Sequence, residues 1–148
     1  MQLISEIMSR DVRTISPQEN IRKAAQLMDE LNVGAIPVCD GDRLIGMVTD
    51  RDITVRATSA GETPEDTMVR DVMSVGVKTC FDDQPVNEVM DQMRDEQIRR
   101  IPVVDHETRN LVGIVSLGDV ATKHSAEVDR TLEKISTPSE PDRPSPGT

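Results

Sequence analysis

The chain is written twice. "AIPVCD" at 35–40 returns as "RIPVVD" at 100–105, an offset of 65 residues. The same offset lays "EIMS" (6–9) on "DVMS" (71–74), and Val12-Arg13-Thr14 on Val77-Lys78-Thr79. Beyond the Ile-Pro-Val runs the offset becomes 67, because Gly46 answers to Gly113. The two extra residues fall between Asp105 and Leu111, where the first copy has only Asp40 to Arg43. A hairpin loop absorbs such a change and a strand does not. A unit of about 60 residues buries only about 60% of its unfolded surface and is marginal alone. Two tandem copies are therefore expected to pack face to face around a pseudo-twofold axis.

Within each copy, helical and strand periods alternate. Ile21, Ala24, Ala25, Met28 and Leu31 mark an amphipathic helix, and Val86, Val89, Met90 and Met93 repeat its spacing. Ser16-Pro17-Gln18-Glu19 has the form of a capping box, yet Asn20 corresponds to Pro85, which sits best in a first turn. Both helices are therefore placed to start near Asn20 and Pro85, with Ser16-Pro17 in the preceding turn. Met8, Met28, Met73 and Met93 are expected to fill core. Strands are expected at 35–39, 44–48, 101–104 and 111–115, with Pro37 and Pro102 at strand starts or on an unpaired edge. Gly46 and Gly113 inside strands point to a close approach, by another backbone or by a ligand. Each copy thus reads strand, helix, strand, hairpin, strand, helix, a mixed α/β (α+β) class. The expected organisation is a first repeat at 1–60, a linker at 61–68 and a second repeat at 69–126. A helical extension follows at 127–135, carrying Val128, Leu132 and Ile135. The last stretch, 136–148, has four prolines and no apolar anchor, and is expected to be disordered.

Composition removes whole classes of function. The net charge of −10 argues against nucleic acid, whose phosphates demand clustered Lys and Arg. An anionic ligand would need a locally basic pocket. No apolar run approaches the roughly 18 residues of a membrane span, and no signal peptide is visible, so the cytoplasm is the expected location. Cys39 and Cys80 lie in apolar runs at no metal-like spacing and read as buried free thiols. With Phe81 the only aromatic, a bound planar ring must lie between aliphatic side chains. His106 in a hairpin loop and His124 in a helix have no third partner for a metal site or a triad, and no nucleophile and base pair can be assembled.

The repeated chemistry sits at two strand ends. Thr49-x-x-Asp52 in "GMVTDRDI" and Ser116-x-x-Asp119 in "GIVSLGDV" each precede a helical pattern. One reading is a capping box, although Asp is shorter than the Glu or Gln that such a box prefers. The other is a ligand grip, in which a helix N-terminus suits phosphate and a carboxylate accepts from both hydroxyls of a ribose. The two are compatible. Arg99-Arg100, at the entrance to the second Ile-Pro-Val strand, adds a basic element able to reach phosphate.

The pattern "IMS…VRTISPQENIRKAAQLMDELNVGAIPV…LIGMVTDRDI", repeated as "VMS…VKTC…PVNEVMDQMRDEQIRRIPV…LVGIVSLGDV", closely resembles a tandem pair of CBS domains, over about residues 3 to 124. The chain is similar to bacterial stand-alone pairs without an attached enzyme or transporter. The resemblance implies two β-α-β-β-α units associating through their sheets, with clefts that take AMP, ADP, ATP or S-adenosylmethionine. Carried onto this sequence, Asp52 and Asp119 would hold ribose hydroxyls, and Thr49 and Ser116 ribose or phosphate. Backbone around Thr14 and Thr79, with Ile36-Pro37 and Ile101-Pro102, would flank adenine, and Arg100 with Arg99 would meet phosphate. The first repeat departs from this pattern, having Gly34-Ala35 in place of the two arginines, with Arg51 able to compensate. The implied function is a non-catalytic regulatory sensor that changes conformation on binding. A ligand-free interaction or stress-related scaffold is the rival. The resemblance also implies a homodimer through the second helices, where Ile53, Val55, Val120 and Ala121 are apolar, and leaves room for a protein partner. It implies no required cofactor, nucleic acid or membrane.

Overall fold

The computed structural model describes residues 1–124, so the expected helix at 127–135 and the tail at 136–148 lie outside the described residues. In chain order the elements are α1 (Ile4–Ile7), α2 (Ile21–Leu31), β1 (Ala35–Asp40), β2 (Arg43–Thr49) and α3 (Asp50–Asp52). There follow α4 (Val69–Val72), β3 (Cys80–Phe81), α5 (Val86–Glu96), β4 (Arg100–Val104), β5 (Leu111–Ser116) and α6 (Leu117–Asp119). Both α3 and α6 widen at once into π-helical turns, Ile53–Thr58 and Val120–His124. The class is mixed α and β, as the sequence reading expects.

Local chemistry sets the boundaries. Asn20 caps α2 by accepting from the Lys23 N–H at 2.9 Å, while α5 starts directly after Pro85 with no side-chain cap. Ser16 accepts from the Gln18 N–H at 3.3 Å within the preceding turn. Each long helix ends in a left-handed residue, Asn32 (φ 55°) and Gln97 (φ 56°), a frequent stop for an α-helix. The buried face of α2 is Ile21, Ala24, Leu27 and Met28. Ala25 is exposed and Leu27 takes its place, because the stripe runs one position further round. Met90 is likewise at the surface of α5, whereas Met93 is buried.

The four longer strands lie within a residue or two of their expected bounds. In β1 and β2 the antiparallel register sets Ala35 opposite Thr49 and Pro37 opposite Met47. The second repeat forms a three-stranded sheet in the order β3-β4-β5, with β3 parallel to β4. Pro102 therefore stands in the central strand rather than on an edge. It is tolerated because β3 begins to pair only at Val103, one residue later.

By contacts the chain forms two compact units. One combines residues 1–12, 79–106 and 112–124, and the other combines 13–78 with 107–111. Each is completed by the segment that opens the other repeat. Ile4 N and Ser5 N donate to the carbonyls of Gln84 and Asp82, both at 2.9 Å. At the same offset of 65, Val69 N and Arg70 N donate to Glu19 and Pro17, at 2.8 and 3.0 Å. The apolar sides of these one-turn helices enter the cores. Ile4 and Ile7 join Val86, Val89, Ile101 and Val103, while Val69 and Val72 join Ile21, Ile36, Val38 and Val48.

This exchange explains the strand glycines. A Cβ on Gly113 would stand 2.8 Å from the Ser9 carbonyl oxygen and 2.7 Å from the Met8 sulfur. A Cβ on Gly46 would stand 2.8 Å from the Ser74 carbonyl oxygen and 3.0 Å from the Met73 sulfur. Of the two readings left open, the approaching group is another backbone. Gly113→Ala is expected to destabilise the protein by about 1–3 kcal/mol in chemical denaturation, as overpacking does. Gly118→Ala, whose nearest neighbour is Ser116 Oγ at 3.6 Å, should leave the midpoint unchanged or raise it slightly.

Candidate functional site

At the end of β2 the chain turns from extended backbone at Thr49 (φ −118°, ψ 162°) directly into α3. The Thr49 hydroxyl accepts from the Asp52 N–H at 3.0 Å, and the Thr49 N–H donates to Asp52 Oδ2 at 3.0 Å. Ser116 and Asp119 repeat both bonds at 3.0 Å. Each motif is thus a closed capping box. Aspartate is long enough to close it, which removes the objection raised by its length.

The cap engages one carboxylate oxygen and leaves the other for different work. Asp52 Oδ1 lies 3.4 Å from the Ser74 hydroxyl, which donates to it, and 3.8 Å from Arg56 Nε. Asp119 Oδ1 lies 3.6 Å from Lys123 Nζ. The side chains are only 11% and 18% exposed, so neither carboxylate stands in bulk water.

Arg56 and Lys123 escape a reading that stops at the motif itself. They are equivalent positions at the offset of 67, each four residues beyond its aspartate. Arg56 also donates to the carbonyls of Val72 and Met73, both at 3.1 Å, and Lys123 donates to that of Ile7 at 3.0 Å. These carbonyls end α4 and α1, where cations are favoured. A basic residue one turn after each aspartate is the sequence signal that marks the pair.

The other candidate residues divide between the units. In the unit built on residues 13–78, Thr14 and Arg51 are exposed and Thr49 is half-buried. Ile36 belongs to the core and Pro37 is buried beside it, so toward a ligand this strand offers backbone. The Arg51 N–H donates to the Asp50 carboxylate at 2.8 Å. In the other unit Thr79 is half-buried and its carbonyl accepts from Gln92 Nε2 at 3.2 Å. Arg99 is exposed, and its carbonyl accepts from the Leu117 N–H at 2.8 Å, which ties the Arg99-Arg100 entrance of β4 to the Ser116 motif. Arg100 is half-buried, Ile101 and Pro102 are buried, and Ser116 is half-buried. Of the apolar positions on the second helices, Val120 belongs to the core of its own unit and Ile53 packs against the core of the other, leaving Val55 and Ala121 at the surface. Val120 therefore offers nothing to an interface.

Cys39 and Cys80 are free and buried. Burial above all, with the Asp42 charge nearby, pushes the Cys39 thiol up to about 11; burial and Asp82 push Cys80 up to about 12. His106 stacks on Phe81 with ring centroids 3.7 Å apart, and its Nε2 lies 2.7 Å from Asp83. Among the described residues no group of three or more His, Cys, Asp or Glu is placed to hold a metal, and no helix is long and apolar enough to cross a membrane. The thiols carry a prediction. At pH 8 only about one Cys39 side chain in a thousand is a thiolate, so a disulfide reagent should label the native protein orders of magnitude more slowly than the denatured chain. Because the folded thiols keep their protons above the unfolded value of 9.0, these groups have no effect on stability below pH 9. Stability is lost as pH rises towards about 11, a trend that denaturation midpoints would record.

Comparison with known proteins identifies the fold. The family model for the CBS domain matches twice, at residues 4–57 and 69–125. The CBS domain-containing protein YhcV of Bacillus subtilis is 43% identical over 121 residues, covering 82% of this chain and 84% of that protein. A crystal structure of Hypoxic Response Protein I with two coordinated zinc ions superposes with a TM-score of 0.72 at 34% identity, over 81% of this chain and 97% of that one. The CBS domain pair of protein MJ0100, in complex with 5'-methylthioadenosine and S-adenosyl-L-methionine, superposes with a TM-score of 0.67 at 27% identity, over 86% and 98% of the two chains. A repeat with its capped aspartate, twice over, belongs to a known family: this chain is a tandem pair of CBS domains.

Proposed function

We propose that this CBS pair is a non-catalytic sensor of adenosine-type ligands, with AMP, ADP, ATP and S-adenosylmethionine as candidates, and that the hydroxyl-x-x-Asp motif carries the binding. The observation behind this reading is the half of each carboxylate that the cap leaves over. Oδ2 is fixed by the backbone, so Oδ1 is held at a set angle and kept from bulk water. A carboxylate held in this way accepts ribose hydroxyls without first having to be ordered. The backbone bond from Leu117 to Arg99 roots the Arg99-Arg100 pair beside the Ser116 motif, where it would serve phosphate, and the aliphatic Ile-Pro-Val strand suits a protein that lacks aromatic stacking surfaces. The adenosine complex of MJ0100 supports the choice of ligand class. Binding to the folded state then stabilises it and shifts the conformations that a partner reads.

A ligand-free scaffold is the second reading. It is favoured by one observation: both motifs close as capping boxes on their own backbone, a role in the fold that asks for no ligand. Thermal melts separate the two. A ligand at a hundred times its Kd should add about 2.7 kcal/mol of stability, and the shift should vanish in the double variant Asp52→Asn/Asp119→Asn. A melting temperature unmoved by all four compounds at millimolar concentration would leave only the scaffold.

The homodimer belongs to the same proposal. Val55 is 51% exposed on the second helix of the first repeat and, with Ala121, would supply its apolar contact. Light scattering at micromolar concentration should give twice the 16.4 kDa chain mass, and Val55→Glu should return the monomer. A monomeric mass for the unaltered protein would remove the dimer from the account.

A further inference from the structure

The two aspartates are equivalent in sequence and unequal in their surroundings. Asp52 Oδ1 receives the Ser74 hydroxyl and faces Arg56, and that guanidinium is itself fixed to two carbonyls, of Val72 and Met73. Asp119 Oδ1 faces Lys123, an ammonium tethered, among the described residues, to the carbonyl of Ile7. A ligand hydroxyl that takes the Oδ1 edge of Asp52 must displace a serine and strip a planar, doubly anchored cation of its counter-charge. At Asp119, among the described residues, what it must move is a flexible ammonium with three rotatable donors. Leaving a partly buried charged group without its partner is the expensive outcome.

The flanking residues differ in the same direction. Directly after the capping hydroxyl stands Asp50 in the first repeat and Leu117 in the second. The carbonyl that accepts from that residue belongs to Gly34 in one case and Arg99 in the other. A Cβ on Gly34 would lie 3.1 Å from Asp50 Oδ2, so an acid fills the ground that corresponds to the root of the Arg99 side chain. A phosphate-bearing ligand meets two carboxylates at the Thr49 motif. At the Ser116 motif it meets one, beside Arg99 and Arg100.

We propose that the copies have divided their work: Asp119 takes the ribose of a phosphate-bearing adenosine ligand, while Asp52 is a structural clasp, fastened through Arg56 to the carbonyl end of α4. The first half rests on the adenosine reading, and the second stands on the hydrogen bonds alone. Arg56 is a positioning residue: it acts on α4 and on Asp52, with no part in contact with ligand.

The experiment pairs calorimetric titration with AMP and ligand-free thermal melts, on the full chain and on Asp119→Asn, Asp52→Asn and Arg56→Met. The expected stoichiometry is one AMP per chain. Asp119→Asn should weaken AMP by roughly tenfold or more, the loss of one charge-assisted hydrogen bond, while its ligand-free midpoint moves little. Arg56→Met should lower the ligand-free midpoint by several degrees with AMP affinity retained. Asp52→Asn should lose a similar amount of stability, and far less affinity than Asp119→Asn. Two equal AMP sites, or a larger affinity loss from Asp52→Asn, would overturn the division. A full chain that binds neither AMP nor, in the same titration, ADP or ATP would sink the role of Asp119, and one that S-adenosylmethionine also leaves unmoved would sink the adenosine reading itself. The melts then judge the clasp alone, and equal midpoints for Asp52→Asn and Asp119→Asn would overturn it.

Discussion

The close approach of two backbones at Gly46 and Gly113 is the constraint from which the rest follows. Ser74 exchanges hydrogen bonds with Met47 at 2.8 and 3.0 Å, and Ser9 exchanges them with Ile114 at 2.8 and 2.9 Å. Only a residue without a Cβ lets the neighbouring strand position come so near. Those bonds fix where α1 and α4 end, hence where the carbonyls of Ile7, Val72 and Met73 point. Arg56 and Lys123 reach these carbonyls from the turn that follows each aspartate, and in doing so face Oδ1. A constraint in the strand thereby reaches the candidate binding group through three short steps of hydrogen bonding.

Capping and binding do not compete for the same oxygen. The capping hydroxyl contributes about 0.5–2 kcal/mol, and the reciprocal bond of the box engages Oδ2, whatever Oδ1 does. An ion pair exposed to the extent of Arg56 or Lys123 adds about 0–1 kcal/mol by itself, so what Arg56 contributes to stability lies mainly in its two bonds to the carbonyls of Val72 and Met73. The duplicated motif is thus useful to the fold in both copies, and one copy is free to lose its ligand without losing its reason to persist. Fold alone does not decide ligand binding; the electrostatics of each copy do.

The fold was largely legible because its signals are local or repeated. Helix starts at Asn20 and Pro85 follow from cap and proline chemistry, and the strand bounds from Ile-Pro-Val and Leu-x-Gly runs. The loop where two residues were inserted was visible as a change of offset. Burial was less legible in detail. Ala25 and Met90 were assigned to the buried faces and lie outside, because a stripe of spacing 3 and 4 fits two adjacent rotations of a helix. Val120, read as interface, is core because the turn after α6 packs against α1 and α5, a neighbourhood that spacing along the chain does not record.

By itself the sequence determined that two equivalent units exist, where their helices begin, and that Thr49-Asp52 and Ser116-Asp119 form one local structure twice. Each of these depends on residues within a few positions of one another or on the comparison of two copies. Tertiary structure alone decided that the segment opening each repeat completes the unit of the other, and that Ser74 and Arg56 close around Asp52 while Lys123 faces Asp119. Those partners are brought together across long stretches of chain, and side-chain spacing carries no record of distances that only the folded backbone creates.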